Sequence, residues 1–430
     1  MTEGFIIAAK WLVPIVDRPL KSGWMIVEDG KISALGQGDV PEFSGARLEF
    51  PDAVVLPAFV NAHTHLACHF LKNGDRDLDF SSWLQSGVAP RVIDAAKNHP
   101  ELLRKGAERA VEELLGGGVG TVADSFFHPA GRDALCSTGL RGVFFREQFG
   151  SMSTNLDDYS RGACEQIDKD AAAKQAHLRV LPGVAPHAPY TCPPQVLQAV
   201  VERARFAGLR SSIHLAESPA ESDFFERSRG PLFEAFAAGR CKARYQFGAS
   251  PVATLEALGV LGPDVLAVHA VHLSAADIQI LAKTDTPVVH CPSSNLALSV
   301  GVSPLLELRE AGVLCALGTD SGASVGKLDM FEEMRLAILA QRGRPERPKL
   351  KFGARDVLEM ATLNGAKALG LDATGALKVG MHADFSIVDL ARAKSQDFDD
   401  PEEAIVWAGT PDDVKALVIA GEFLFGEPQS

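Results

Sequence analysis

One stretch constrains this chain more than any other: an apolar run, Ala53 to Val60, that leads into His63-Thr64-His65. A short apolar run of this kind reads as a buried strand. Along a strand, residues i and i+2 point to the same side, so His63 and His65 can converge on one ion. Alone, the pair has a second reading, as two hydrogen-bonded or surface histidines. The metal reading therefore needs further ligands, a proton shuttle and a pocket from elsewhere in the chain.

The following residues supply a frame. Apolar runs alternate with longer amphipathic stretches, which predicts a parallel sheet covered by helices. Strands are expected at 54–60, 120–124, 142–145, 178–184, 210–214, 265–269, 287–291 and 313–318. Helices are expected at 101–115, 156–176, 194–207, 222–238, 275–283, 303–311, 328–341 and 354–369. Eight strands of this kind close a (β/α)8 barrel. The competing fold, an open doubly wound sheet, wants a Gly-rich turn after its first strand, where this chain has the two histidines. Both ends of the chain look different. Phe5 to Ala8, Trp24 to Glu28 and Lys31 to Leu35 are β-prone, with a hairpin signal at Asp29-Gly30. Ala383 to Leu390 and Val414 to Phe425 have the same character, with a second turn expected at Gly421-Glu422. The expected fold is thus α/β: a TIM barrel over 54–374, with a small composite β-sandwich made from 1–53 and 375–430.

Bulk properties exclude some partners. A net charge of −13 repels phosphate backbones, so nucleic acid is disfavoured. No stretch reaches the length of a membrane span, and Met1-Thr2-Glu3-Gly4 does not open a signal peptide. Seven cysteines without a CxxC pair point to a reducing, cytoplasmic setting. Cys68, Cys291 and Cys315 sit in apolar surroundings and read as small core residues. A small-molecule substrate is the expected partner, and a homo-oligomer is compatible with the chain.

In such a barrel the chemistry lies at the C-terminal ends of the strands. There the chain places His63 and His65, His187, His214 and Glu217, His269 and His272, His290, and Asp320. Each has a bland reading: Asp320 as a turn residue, Glu217 as the head of a helix, His290-Cys291-Pro292 as a strand end closed by proline. His272 is ambiguous, and His128, His177 and His382 read as structural or surface residues. Together, His63, His65, His214 and Asp320 offer three imidazole nitrogens and one carboxylate oxygen. That set suits one divalent ion, Zn²⁺ first and Fe²⁺ second. A catalytic metal also needs a water, whose pKa it lowers towards about 7. Glu217, three residues after His214, can take a proton from that water and pass it to a substrate nitrogen. His269 can stabilise the developing charge.

The strand-end motifs resemble the amidohydrolase superfamily, in its branch of mononuclear-metal aminohydrolases. The matching stretches are Val60-Asn61-Ala62-His63-Thr64-His65-Leu66, Ile213-His214-Leu215-Ala216-Glu217-Ser218, His269-Ala270-Val271-His272-Leu273, His290-Cys291-Pro292-Ser293-Ser294-Asn295-Leu296 and Leu317-Gly318-Thr319-Asp320-Ser321. Val379-Gly380-Met381-His382-Ala383-Asp384-Phe385 resembles the family's terminal β-structure. The resemblance implies His63, His65, His214 and Asp320 as metal ligands. It implies Glu217 as shuttle, His269 as electrostatic partner and His187 as a contact to the substrate ring. Binuclear relatives carry a bridging lysine at the fourth strand end. This chain has Leu181-Pro182-Gly183-Val184-Ala185-Pro186-His187 there, so one metal is implied.

Two subgroups are similar. The overall pattern resembles S-adenosylhomocysteine and adenosine deaminases. Phe80-Ser81-Ser82-Trp83-Leu84, Glu147-Gln148-Phe149-Gly150 and Gly230-Pro231-Leu232 resemble aminodeoxyfutalosine deaminases more closely. A glutamate that follows the Trp-Leu pair in the first subgroup and binds ribose hydroxyls is replaced here by Val92. The implied function is deamination of a 6-aminopurine nucleoside-type substrate with release of ammonia. The alternative is hydrolysis of another N-heterocycle: guanine, cytosine, or a chloro- or alkylamino-triazine. Trp83 and Arg146 are placed with His187 around the substrate, although Trp83 reads equally well as a core residue.

Overall fold

The strand that leads into the histidines does not belong wholly to the barrel. In the computed structural model, residues 4–74, 76–151, 153–173, 179–238, 245–391 and 398–427 are described; the expectation for His177 lies outside them. Strand β1 (Phe5–Leu12), β2 (Leu20–Glu28), β3 (Lys31–Gln37) and β4 (Ala46–Pro57) precede β5 (Phe59–Thr64). The expected strand 54–60 is therefore two strands. Its first part, in β4, pairs with β1 and with β13 (Phe385–Asp389), whereas β5 pairs with β6 (Val119–Phe126). The chain changes sheets at Ala58, whose N–H donates to the Asp384 carbonyl.

The terminal sheet is completed by β14 (Val414–Ile419) and β15 (Glu422–Phe425), in the order β15-β14-β13-β4-β1-β2-β3. One apolar cluster joins Ile7, Met25, Ile32, Phe50, Val55, Phe385 and Val418, so strands from both chain ends share a core. The hairpin at Asp29-Gly30 forms with φ of 49° and 72°, the positive pair a two-residue turn requires. The second turn falls one residue earlier than expected, at Ala420-Gly421, because Ile419 pairs with Glu422.

The barrel continues through β7 (Arg141–Gln148), β8 (Val180–Pro186), β9 (Ser211–Leu215), β10 (Val265–His269), β11 (Val288–His290) and β12 (Cys315–Leu317). With β5 and β6 these make eight parallel strands in sequential order. A bridge between Thr64 and Asp320 joins the last strand end to the first. Alternate residues build two layers. Val60, Ala62, Ala123, Val143, Phe145, Leu266, Val268, Val289 and Ala316 fill the interior. Phe59, Val122, Phe144, Ile213, Ala267, Val288 and Leu317 face the helices. Two expected helices are split. Ser228 and Gly230, at φ of 51° and 92°, break 222–238 into Pro219–Arg227 and Pro231–Phe236. Likewise 354–369 divides into Ala354–Met360 and Leu363–Ala368. Among the described residues, no helix is long and apolar enough to cross a membrane.

Candidate active site

The two histidines that end β5 are aimed by a local irregularity. Between Asn61 and Thr64, β5 carries one more residue than its partner β6. Such a bulge re-aims side chains at a barrel rim, and simple alternation along the strand does not describe the pair. His65 lies just past the strand, and its ring centroid is 4.8 Å from that of His63, nearly perpendicular. His214, on β9, stacks against His65 at 5.3 Å with an interplanar angle of 6°.

Hydrogen bonds fix the ring tautomers. His65 Nδ1 is 2.6 Å from the Ser125 carbonyl, and His214 Nδ1 is 2.7 Å from that of His187. A carbonyl only accepts, so both Nδ1 atoms carry the proton and both Nε2 atoms carry a lone pair. Those two Nε2 atoms face one another at 3.2 Å. Two lone pairs at that distance repel unless a cation lies between them. His63 adds to the same demand: it is buried, and neither of its ring nitrogens has a hydrogen-bond partner. Asp320 Oδ1 lies 3.6 Å from both His63 Nε2 and His65 Nε2. His63, His65 and Asp320 offer ligand atoms within 4.8 Å of one another, as do His63, His214 and His269. This donor set fits a divalent metal.

The electrostatics agree. Burial lowers the His63 pKa to about 4 and lowers those of His65 and His214, keeping the rings neutral as ligands must be. Burial opposes ionisation of Asp320, yet the imidazole edges that face its carboxyl, His63 first, hold its pKa well below the usual carboxylate range. Asp320 Oδ2 also accepts from Ser294 Oγ at 2.5 Å and Ser324 Oγ at 3.1 Å. Its backbone N–H donates to the His63 carbonyl at 3.0 Å.

Glu217 sits beside this group, with Oε1 3.4 Å from His269 Nε2. Burial, then the charges of Asp320 and Glu221, raise its pKa well above the ordinary value, as a proton carrier near neutral pH requires. Its backbone N–H is held by Glu221 Oε2 at 2.9 Å. His269 Nδ1 is 2.9 Å from Asn295 Oδ1. Ala216, His269, Ala270 and Asp320 all have positive φ, between 48° and 73°. Each such residue costs on the order of 1–3 kcal/mol, a strain characteristic of functional sites.

The other expected residues divide. His187 lies at the site, its ring 4.8 Å from His214, with Nδ1 3.0 Å from Thr191 Oγ1 and its pKa lowered by burial to about 3. Arg146 does not join it. It points out of the barrel and forms a two-pronged ion pair with Asp170, at 2.6 and 2.9 Å. Alternation along β7 explains the correction, since Val143 and Phe145 face inward, and the next inward residue is Glu147. Trp83 is buried in the outer core, its ring 6.3 Å from that of Phe80. Val92 is buried in the same core. His272 is tied to the Val300 carbonyl at 2.6 Å, which resolves its ambiguity as structural. His128 Nδ1 accepts from the Ala130 N–H at 3.3 Å, a local turn contact. Sequence reasoning assigned no role to Glu147, Glu221, Ser294, Ser324 or Asn295. Several lay inside quoted motifs, and counting inward positions on β7 marks Glu147.

A parallel barrel whose strand ends converge three imidazoles, a carboxylate and a second, proton-retaining carboxylate defines a metal-dependent hydrolase-type site. Residues 54–424 match the Amidohydrolase family, and the chain belongs to that family. It is 35% identical over 418 residues to a 5-methylthioadenosine/S-adenosylhomocysteine deaminase of Moorella thermoacetica, covering 96% of this chain and 92% of that protein. A 5'-deoxyadenosine deaminase of Methanosarcina barkeri is 34% identical, covering 95% and 89%. The fold matches a crystal structure of an adenosine deaminase from Xanthomonas campestris with bound zinc, with a TM-score of 0.85, 29% identity, and coverage of 99% and 93%.

Proposed function

We propose that this chain is a metal-dependent aminohydrolase that replaces the exocyclic amine of a 6-aminopurine nucleoside by hydroxyl and releases ammonia. The observation that carries the reading is the pair of facing Nε2 lone pairs, 3.2 Å apart, beside the unpartnered His63 and the low-pKa Asp320. His63, His65, His214 and Asp320 would hold one divalent ion, zinc first and iron second. Bound there, the ion supplies Lewis acidity that makes water a nucleophile at neutral pH. Glu217 takes the proton of the attacking water and delivers it to the ring nitrogen next to the amine-bearing carbon. It then moves the second proton from the new hydroxyl to the amine, the carbon–nitrogen bond breaks, and ammonia leaves. His269, whose Nδ1 is held by Asn295 Oδ1, turns Nε2 towards Glu217 and can accept a hydrogen bond from the attacking water, fixing its orientation. His187 borders the substrate ring. The relatives support 5'-modified adenosines as the first substrates to try, with aminodeoxyfutalosine next. A soluble, cytoplasmic enzyme fits the reading, and an oligomer is compatible with it.

The test is ammonia release from the purified holoprotein across three groups. These are adenosine, 5'-deoxyadenosine, methylthioadenosine, S-adenosylhomocysteine and aminodeoxyfutalosine; guanine and cytosine; and chloro- and alkylamino-triazines. Turnover is expected in the first group. Turnover confined to halogenated rings overturns the proposal.

A further inference from the structure

Glu147 has no task in the reaction above, and its surroundings call for one. It is the last inward residue of β7, above Phe145, and its side chain is 4% exposed. Its Oε1 has no hydrogen-bond partner. A buried carboxyl oxygen without a hydrogen-bond donor is costly in either protonation state, so a donor is expected from somewhere. The neighbouring protein groups do not provide it. His65 Nδ1 lies 3.7 Å away, beyond hydrogen-bond reach, and its one proton is already given to the Ser125 carbonyl at 2.6 Å. His214 Nδ1 is committed to the His187 carbonyl, and His187 Nδ1 to Thr191. Yet Glu147, His187 and His214 bring ligand atoms within 4.8 Å of one another, so the orphaned oxygen borders the metal-ligand group. Phe149, two residues further on, is 38% exposed, its ring 4.8 Å from that of His187 and tilted by 33°. Its backbone N–H is held by the Tyr159 hydroxyl at 2.6 Å.

We propose that Glu147 reads the substrate: its Oε1 accepts a hydrogen bond from a donor that the substrate carries, a sugar hydroxyl or a ring-borne N–H. The inference rests on the reading of this mouth as the place where a nucleoside-type molecule is processed. It makes Glu147 a specificity-determining residue, in contrast to a positioning residue that only steadies His65.

Glu147→Ala and the milder Glu147→Gln separate these roles. Metal content and thermal stability are measured first, and both variants are expected to match wild type. Next come kcat/KM for adenosine against 2'-deoxyadenosine and 3'-deoxyadenosine, and for 2,6-diaminopurine riboside against adenosine. In wild type, one donor-lacking compound should fall about 2- to 10-fold below its partner, the range for a hydrogen bond to an uncharged group. The sugar pairs identify a hydroxyl, and the diaminopurine pair identifies a ring-borne N–H. In Glu147→Ala that ratio should collapse to about one, with Glu147→Gln in between. Binding of inosine and its deoxy analogues, by calorimetry, should show the same pattern without turnover. Loss of metal in both variants, an unchanged ratio, or no binding of inosine to wild type overturns the role of Glu147. Failure of the functional reading shows differently: wild type binds inosine, yet releases no ammonia from any nucleoside.

Discussion

The interior of the barrel and its mouth lie a few residues apart on the same strands, yet they obey different rules. The interior is Val60, Ala62, Val143, Phe145, Leu266, Val268 and Val289, an apolar layer whose side chains carry no polar atom. The mouth buries His63, Glu147, His214, Glu217, His269 and Asp320. It keeps ring nitrogens without partners and holds non-glycine residues at positive φ. The first layer gains by burial, whereas the second gives up stability to hold charges and lone pairs in place. Stability and chemistry are therefore divided between two levels of one sheet.

That division can be broken experimentally. Asp320→Ala should have the largest effect, removing most bound metal and nearly all turnover while the barrel stays folded; elemental analysis, ammonia release and circular dichroism check it. Full metal and full activity would remove Asp320 from the site. Glu217→Gln should keep the metal and lower kcat by about 10²–10⁴-fold; a normal kcat would exclude Glu217 as the shuttle. Below the mouth, Leu266→Ala should do the reverse. A fully buried leucine cut to alanine costs about 2–5 kcal/mol, measured by urea unfolding, with metal still bound. Asn295→Ala frees His269 and should cost about 10- to 100-fold in kcat.

A pH series tests the mouth's cost directly. Burial lowers the His290 pKa from 6.5 to about 3. The unfolded chain therefore binds the extra proton first as pH falls. Stability from this group is complete above pH 6.5 and is lost progressively down to about pH 3. His290→Leu should flatten the stability-against-pH slope in that window by up to about one proton, about 1.4 kcal/mol per pH unit. An unchanged slope would mean that His290 does not contribute.

The two levels also differ in how legible they are in the sequence. Apolar runs separated by amphipathic ones show where the barrel strands lie, because every strand of a covered parallel sheet is apolar on both faces. The same property hides which residue faces inward. With Phe144 and Phe145 adjacent, composition does not separate Arg146 from Glu147, and the arginine was expected at the substrate. The histidines of the site were legible as strand ends, but the β5 bulge that aims His63 and the positive φ of His269 leave no local pattern. The switch of sheets at Ala58 is hidden for the same reason as the β7 facing: Val54 to Val60 is apolar throughout, although two sheets bury it.

The bridge between Thr64 and Asp320 has a consequence for how the molecule is made. His63 and His65, the first proposed ligands, leave the ribosome early, while Asp320 comes more than two hundred residues later. Until the last barrel strand docks on the first, the nascent chain holds at most part of a coordination sphere. On the proposed ligand set, complete capture of an ion would report closure of the barrel, a late event governed by contacts of very long sequence separation. The terminal sheet adds a further delay, since β4 waits for β13 to arrive. A chain cut short before residue 385 has no partner for that edge of β4, although all eight barrel strands are already present.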